Sequence, residues 1–361
     1  MQILSVINDT HIGVIRSGGT TPNSAYTLRQ HVLKDFRALL AKCKGTDVLI
    51  NGDLFDTGNI PYADLWEAWE VLTDFRSNNQ ESTIWCVRGN HDVTRNSLTL
   101  SSFDLFCKLM EATSSYSSKF VTVSEPLYIK EHDAYVVPHL QNQDIFNEAI
   151  SKVPRCSFLF LHCNYDNKFA VQSDHSLNLS IEQARNLVAD HIIFGHEHQA
   201  RSALSGKVII TGNQICTSIA DCLGNDEKHF LQVGLDKRVS SRDGSSTRPD
   251  TRKVLAWQAQ GDFVQLDWKD LKDDGARFIR VTGQATAAQA ADVVSAISKF
   301  RSKSDALVIS NAVVIEGVSD QDELDLSVEQ MAAFDVRSAL MDLLNEDERK
   351  VVTKLLEEAN V

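Results

Sequence analysis

Five short clusters along the 361-residue sequence collect side chains able to bind metal ions or move protons. Asp9 and His11 stand in NDTH, Asp53 in NGDLFD, and Asn90, His91 and Asp92 in GNHD; His162 stands in FLHCN, and His196 and His198 in GHEH. Mixed carboxylate, carboxamide and imidazole donors suit manganese, iron or zinc rather than an all-oxygen magnesium cage or a soft copper site. Asp9, His11, Asp53, Asn90, His162, His196 and His198 make seven candidate ligands, enough for two ions if the two oxygens of Asp53 bridge them. Each fragment alone has a plainer reading. A DxH turn is commonly an ordinary polar loop, GNHD can be a turn whose Asp caps a helix, and the two histidines of GHEH can be surface residues. Their common position, directly after an apolar run, makes one metal site the reading that accounts for all of them.

Those apolar runs are the elements that must position the ligands. ILSVI at 3–7, DVLI at 47–50, TIWCV at 83–87, SFLFL at 157–161, HIIF at 191–194 and KVIIT at 207–211 read as buried strands, with helices at about 25–43 and 61–77 between the first three. Strand and helix in alternation predict an α/β layered domain, in which ligands bind outside the carboxyl ends of the strands. Residues 236–253 carry six basic and three acidic side chains and read as an exposed loop. After it, VLAWQAQGDFVQLDW predicts two strands around a turn at Gly261 and Asp262, and 277–310 predicts strand, helix (286–300) and strand. Leu340, Leu344, Val351 and Leu355 recur at helical spacing near the C-terminus.

Lys and Arg number 36 against 49 Asp and Glu, a net charge of −13, which argues against a broadly basic nucleic-acid coat. The acidity is uneven: residues 316–361 hold thirteen acidic and four basic side chains. Seven dispersed cysteines without a CxxC pair fit a reducing compartment better than a disulfide scaffold. No leader-like segment and no run of 18 apolar residues is evident, so the expectation is a soluble cytoplasmic chain with no membrane association.

DxH at 9–11, GDLFD at 52–56, GNHD at 89–92, His162 and GHEH at 195–198 resemble, in type and order, the calcineurin-like metallophosphoesterases. GDLFDTGNIP at 52–61 and ITGNQICTS at 210–218 are similar to the SbcD-type nuclease subunit of double-strand-break repair, including its tailed-phage versions. The resemblance implies a β-sandwich flanked by helices over 1–245, a small α/β capping and DNA-binding domain over 250–318, and a C-terminal helical partner-binding segment over 319–361. It further implies Asp9, His11, Asp53 and His198 on one ion and Asp53, Asn90, His162 and His196 on the other, with manganese the usual metal. In that scheme His91 orients the phosphate and protonates the departing oxygen, and Asp92 holds the His91 ring. The implied activity is Mn-dependent hydrolysis of DNA phosphodiesters, 3′-to-5′ on duplex ends and endonucleolytic on single strands, in recombination, repair or replication. The implied partners are DNA, an SbcC-like ATPase and a second copy of the chain, in the host cytoplasm if the protein is phage-encoded. The alternative is a stand-alone phosphoesterase acting on nucleotides or phosphoproteins.

Around this set, Arg88 and Arg95 either reach phosphates or pair with carboxylates, and Asn213, Gln214, Thr217 and Ser218 are candidates to face a substrate. Lys237, Arg238, Arg242, Arg248, Arg252 and Lys253 either follow a nucleic-acid backbone or solubilise a loop. Trp66 and Trp69 read as packing residues, and Cys163 as buried filler facing away from His162.

Overall fold

In the computed structural model the described residues are 2–14, 22–94, 99–113, 119–167, 176–217, 228–235, 250–257, 263–272 and 278–316. The chain opens with β1 (Ile3–Ile7), α1 (Pro22–Lys42), β2 (Asp47–Asn51), α2 (Tyr62–Asn78), β3 (Thr83–Val87), α3 (Ser102–Ala112) and β4 (Lys119–Val123). It continues through β5 (Leu127–Ile129), β6 (Ala134–Val137), α4 (Gln143–Ser151), β7 (Cys156–His162), β8 (Asn164–Tyr165), β9 (Asn178–Leu179) and a short helix at Ile181–Asn186. The remaining strands are β10 (Ala189–Gly195), β11 (Arg201–Ala203), β12 (Val208–Ile210), β13 (Lys228–Leu235), β14 (Asp250–Trp257), β15 (Phe263–Asp267), β16 (Phe278–Thr286) and β17 (Leu307–Glu316), with a helix at Ala290–Arg301 before the last.

Two six-stranded sheets, ordered β14-β13-β1-β2-β3-β4 and β11-β12-β10-β7-β6-β5, face one another. The central strands β1, β2, β3, β7 and β10 are apolar on both faces, and the period of two divides each run between two cores. Leu49 of β2, Trp85 and Val87 of β3, Phe158 and Phe160 of β7 and Ile193 of β10 fill the space between the sheets. Val48, Ile50, Ile84 and Cys86 turn outward beneath α1, α2 and α3; Leu159, Leu161, Ile192 and Phe194 turn outward into a separate core with α4. The result is an α/β architecture of mixed sheets flanked by helices, as expected. Capping side chains fix where helices begin: Ser101 and Asp104 form a reciprocal capping box at α3, and Asn142 accepts from the Ile145 N–H at α4.

After residue 235 the structure departs from the sequence reading. Arg252 and Lys253 are not in a loop: they lie in β14, which pairs antiparallel with β13 from Lys228↔Trp257 to Leu235↔Asp250. Nor do the two strands flanking Gly261 and Asp262 form a hairpin. β15 joins a third sheet, β15-β16-β17, in parallel with β16. A bare edge of β13 would leave a row of backbone N–H and C=O groups without partners, and β14 satisfies it. Phe278 of β16 is packed in the same core as α1 and meets the His31 ring edge-on, centroids 5.3 Å apart. The chain groups into two units, residues 1–283 with 295–313, and residues 284–294 with 314–361. The basic residues at 237–248, and the C-terminal segment 319–361, lie outside the described residues, as do Arg95 and Ser218.

Candidate metal centre

The carboxyl ends of the central strands of both sheets bring the five sequence clusters to one rim of the sandwich. The turns after β1 and β2 are joined by backbone bonds from Asp9 N–H to the Gly52 carbonyl (3.3 Å), His11 N–H to the Asp53 carbonyl (3.1 Å) and Ile12 N–H to the Leu54 carbonyl (2.9 Å). Across the rim, the Asn51 carboxamide donates to the Leu161 carbonyl of the other sheet (3.3 Å). Four of the candidate ligands have left-handed backbone: Asp9 (φ 50°), His11 (46°), Asp53 (49°) and His196 (83°). Non-glycine residues rarely adopt this region, and such conformations persist where surrounding structure over-determines them. Gly52 and Gly89 are needed here for space, because a Cβ at Gly52 would collide with the His162 ring and one at Gly89 with the Asp53 carboxylate.

Among the described residues, ligand-type atoms converge in three overlapping groups: Asp9, His11 and His198; His11, Asp53 and His91; and Asp53, His162 and His196. Within each, one ligand atom per residue lies within 4.8 Å of the rest. The His11 and His198 Nε2 atoms are 3.1 Å apart. His162 Nε2 lies 3.2 Å from Asp53 Oδ2 and 3.0 Å from Asn90 Oδ1, which in turn is 2.9 Å from His196 Nδ1. His162 Nδ1 is 2.9 Å from the Asn51 carbonyl, which accepts its proton and leaves Nε2 with its lone pair toward the cluster. The His196 backbone N–H donates to both Asp9 oxygens (2.9 and 3.1 Å).

These residues fit divalent cations by the chemistry of the donor set. Asp9, His11, Asp53 and His162 are buried, Asp9 and His162 completely, and Asn90, His196 and His198 are half-buried, so water disperses little of the charge. Two imidazole nitrogens facing each other at 3.1 Å need a shared proton or a cation between them. The protein's own charges show the same demand. Burial opposes protonation of His11 and His162, yet the surrounding carboxylates raise both to about 9: chiefly Asp56 and Asp53 for His11, and Asp53 and Asp9 for His162. Burial pushes Asp53 upward, but His162, His11 and His91 outweigh it and hold the carboxyl well below the usual range.

Asp92 does not hold the His91 ring. It is fully buried and its oxygens accept from the Phe55 N–H (3.0 Å) and the Gly89 N–H (2.9 Å), tying the β2 and β3 turns together. Burial, with Asp53 nearby, raises it to about 7. The His91 ring is held by Asp56, whose carbonyl lies 2.6 Å from His91 Nδ1, while the His91 backbone N–H donates to Asp53 Oδ1 (2.9 Å). Asp56 also places a carboxylate oxygen 3.5 Å from His11 Nδ1. The ring of His91 sits edge-on to that of His11, centroids 4.9 Å apart.

A model of the family described as "Calcineurin-like phosphoesterase" matches residues 4–200. The chain belongs to that family. Among solved structures, the chain is similar to a cold-active protein-tyrosine phosphatase of a psychrophilic Shewanella species, with 11% identity over 71% of this chain and 80% of that one and a TM-score of 0.31. A further structure of a cold-active protein tyrosine phosphatase gives 12% identity, 71% and 79% coverage and a TM-score of 0.30. Likenesses this distant carry no argument about substrate. No curated protein matches the chain.

Other residues of this calcineurin-like phosphoesterase lie elsewhere than expected. Asn213, Gln214 and Thr217 do not face a substrate: all three are buried, Gln214 accepting from the Asn8 N–H (2.7 Å) and Asn213 from the Lys228 ammonium (2.7 Å). Gln214 and Asn213 hold the loops carrying Asp9 and His198, since the Asn213 N–H also donates to the His198 carbonyl (3.3 Å). Arg88 meets the Ser124 carbonyl (2.9 Å) rather than a carboxylate. Trp66 is exposed and stacked on the half-buried Trp69, so only the latter packs against the core. Cys163 is buried and its thiol is pushed well up by burial. His139 went unnoticed in the sequence. It follows the apolar run AYVVP, the same signal that marked the other strand ends, and burial with the His162 charge lowers it to about 4.

Proposed function

We propose that the protein hydrolyses phosphoesters at a two-metal centre in which Asp9, His11, Asp53 and His198 hold one cation and Asp53, Asn90, His162 and His196 the other. The observation that carries the proposal is the convergence of these donors from strands of both sheets, with Asp53 Oδ2 lying between them, 3.9 Å from His11 Nε2 and 3.2 Å from His162 Nε2. Bound divalent cations, with manganese our choice, supply Lewis-acid stabilisation of phosphoryl charge and a water activated near neutral pH. The chain's own contribution is orientation. The Asn51 carbonyl fixes the His162 tautomer, the His196 N–H steadies the Asp9 carboxylate, and the Asp56 carbonyl fixes the His91 ring so that Nε2 faces away from the Nδ1 anchor. In this arrangement His91 donates a proton from Nε2 to the departing ester oxygen, with its ring held by the Asp56 carbonyl. Asp92 serves the site as a brace between the Phe55 and Gly89 turns.

The reading the fold and donor set support best is a stand-alone phosphoesterase acting on nucleotides or phosphoproteins. A second reading, a DNA nuclease working with an SbcC-like ATPase and a second copy of the chain, is favoured by the GDLFDTGNIP segment at 52–61 and by the small sheet β15-β16-β17 with its helix. With it we propose the division of the chain at 1–245, 250–318 and 319–361. Purified protein with Mn²⁺ separates the two. Release of phosphate from nucleotides or phosphopeptides with end-labelled duplex DNA left intact supports the first; shortening of the duplex with little action on phosphomonoesters supports the second. No metal-dependent turnover of any phosphoester overturns both.

A further inference from the structure

The loop that carries His196 and His198 begins where the backbone pairing that would hold it ends. β7 and β10 run in parallel register as far as Gly195↔His162, and from there the two chains go separate ways, one into β8 and the other into His196, Glu197 and His198. His196 at once takes left-handed backbone (φ 83°). Its ring meets Asn90 (Nδ1 to Oδ1, 2.9 Å), whereas the His198 ring meets His11 (Nε2 to Nε2, 3.1 Å), so two neighbouring imidazoles serve different donor groups. Glu197, between them, belongs to none of the three groups. One of its carboxylate oxygens accepts from the Tyr165 N–H of β8 (2.6 Å), three residues beyond His162, and the other from Arg201 Nε (3.1 Å) and Nη2. The same Nη2 donates to the Tyr165 carbonyl (3.2 Å), and the guanidinium lies over the Tyr165 ring, 5.7 Å from its centroid.

We propose that Glu197 is a positioning residue of the metal centre: its carboxylate takes the place of the missing rung beyond Gly195↔His162 and so fixes the His196 and His198 rings relative to His162. The inference rests on the two-metal reading and adds to it the side chain that sets the spacing of ligands belonging to different cations. The ends of the loop have other anchors, the His196 N–H on the Asp9 carboxylate (2.9 and 3.1 Å) and the His198 carbonyl on the Asn213 N–H (3.3 Å). Loss of the Glu197 carboxylate therefore leaves the loop attached at both ends and loose in the middle, where the rings are aimed. Of the two bonds, the one to Tyr165 carries the effect. Tyr165 is buried, and a charge-assisted bond to a buried N–H has no water to replace it. The Arg201 side chain is 48% exposed, and ion pairs at such positions contribute little.

Mn²⁺ titration of the metal-free protein and electron paramagnetic resonance of the loaded protein test this without recourse to turnover. Glu197→Ala should bind Mn²⁺ about 10- to 100-fold more weakly than wild type, and the exchange-coupled spectrum of its ion pair at saturating Mn²⁺ should differ from that of wild type. Glu197→Gln keeps an oxygen for the Tyr165 N–H and should restore both affinity and spectrum. Arg201→Ala should weaken Mn²⁺ binding by less than about threefold. Unchanged affinity and spectrum in Glu197→Ala overturn the inference while leaving the two-metal reading intact, as does a Glu197→Gln variant as weak as Glu197→Ala. A lower melting temperature with Mn²⁺ binding intact means that the clamp serves the fold alone, and likewise overturns it. A wild type that takes up fewer than two Mn²⁺ ions defeats the two-metal reading, and the inference with it. If Glu197→Ala does not fold, Glu197→Met, similar in length and without a carboxylate or carboxamide oxygen, is held to the same comparison with Glu197→Gln.

Discussion

The two rims of the sandwich are both polar, both buried and both bridge the sheets, yet only one is built for chemistry. At the rim of the strands' amino ends, Asp47 accepts from His132 Nε2 (2.8 Å), the Gln2 carboxamide (2.7 Å) and the Thr83 N–H (2.7 Å), and Ser5 pairs with Thr46 (2.7 Å). His132 sits edge-on to Trp85, and its neighbour Asp133 accepts from Ser157 (2.7 Å). Each acceptor meets a donor. At the carboxyl rim, acceptor faces acceptor and imidazole faces imidazole, on backbone held in left-handed conformation. Buried charge is therefore not the mark of a site here; a surplus of like-acting groups that a cation or a shared proton must reconcile is. Concavity misleads in the same way, for a hollow of about 380 Å³ lined by Gln2, Lys44, Asp47, Asn79 and Glu81 opens at the amino-end rim.

Substitution at each rim should separate activity from stability. Asp53→Ala removes the carboxylate common to both metal groups, and turnover should fall on the order of 10³-fold or more with loss of bound Mn²⁺ by metal analysis. A folded variant with near-normal turnover would break the contrast between the rims. His91→Ala should lower kcat by about 10²- to 10⁴-fold while both metals remain bound; loss of one ion would make His91 a ligand, which its position within 4.8 Å of His11 and Asp53 allows geometrically.

At the other rim, Asp47→Asn should leave kcat unchanged but lower stability by about 3–5 kcal/mol in denaturant titrations, since it leaves a buried partner unpaired. The pH dependence fixes the sign. Burial raises the Asp47 carboxyl, but His132, the Thr83 N–H and Gln2 outweigh it and hold it below its ordinary 3.8. The stabilisation is therefore present above that value and lost as pH falls through the lower folded value, so acid unfolding should be steeper in wild type than in Asp47→Asn. The smallest effect is expected from Asp56→Asn, which retains the carbonyl behind His91 but removes the charge beside His11. Metal affinity should weaken about 10- to 100-fold by Mn²⁺ titration. An unchanged affinity would show that the charge on Asp56 has no part in orienting His11.

Much of the carboxyl rim is legible without coordinates, because strand ends and ligand types are local properties. ILSVI, DVLI, TIWCV and SFLFL announce strands by β-branched and aromatic content, and Asp9, Asp53, Asn90 and His162 follow them at once. The amino-end rim is not legible, since Asp47 and His132 are far apart in sequence and neither belongs to a recurrent motif. Nor is the support of His91: Asp92 is its sequence neighbour, but the bond comes from a backbone carbonyl 35 residues away, and backbone carbonyls carry no sequence signal. Asn213 and Gln214 look like substrate-facing polar residues until packing shows them buried beneath the loops they hold.

The sequence by itself determined the α/β alternation, the donor set and the order in which the donors arrive, because the side-chain period of a strand and the chemistry of a ligand act at short range. The tertiary structure decided what those donors face. The closing of two sheets on one another gives His162 a carbonyl on Asn51 and gives Asp92 two backbone N–H groups. It likewise sends β14 to the edge of β13 instead of to its chain neighbour β15. Each of these outcomes depends on which backbone groups remain without a partner once the layers pack, and that condition is defined only in the folded chain.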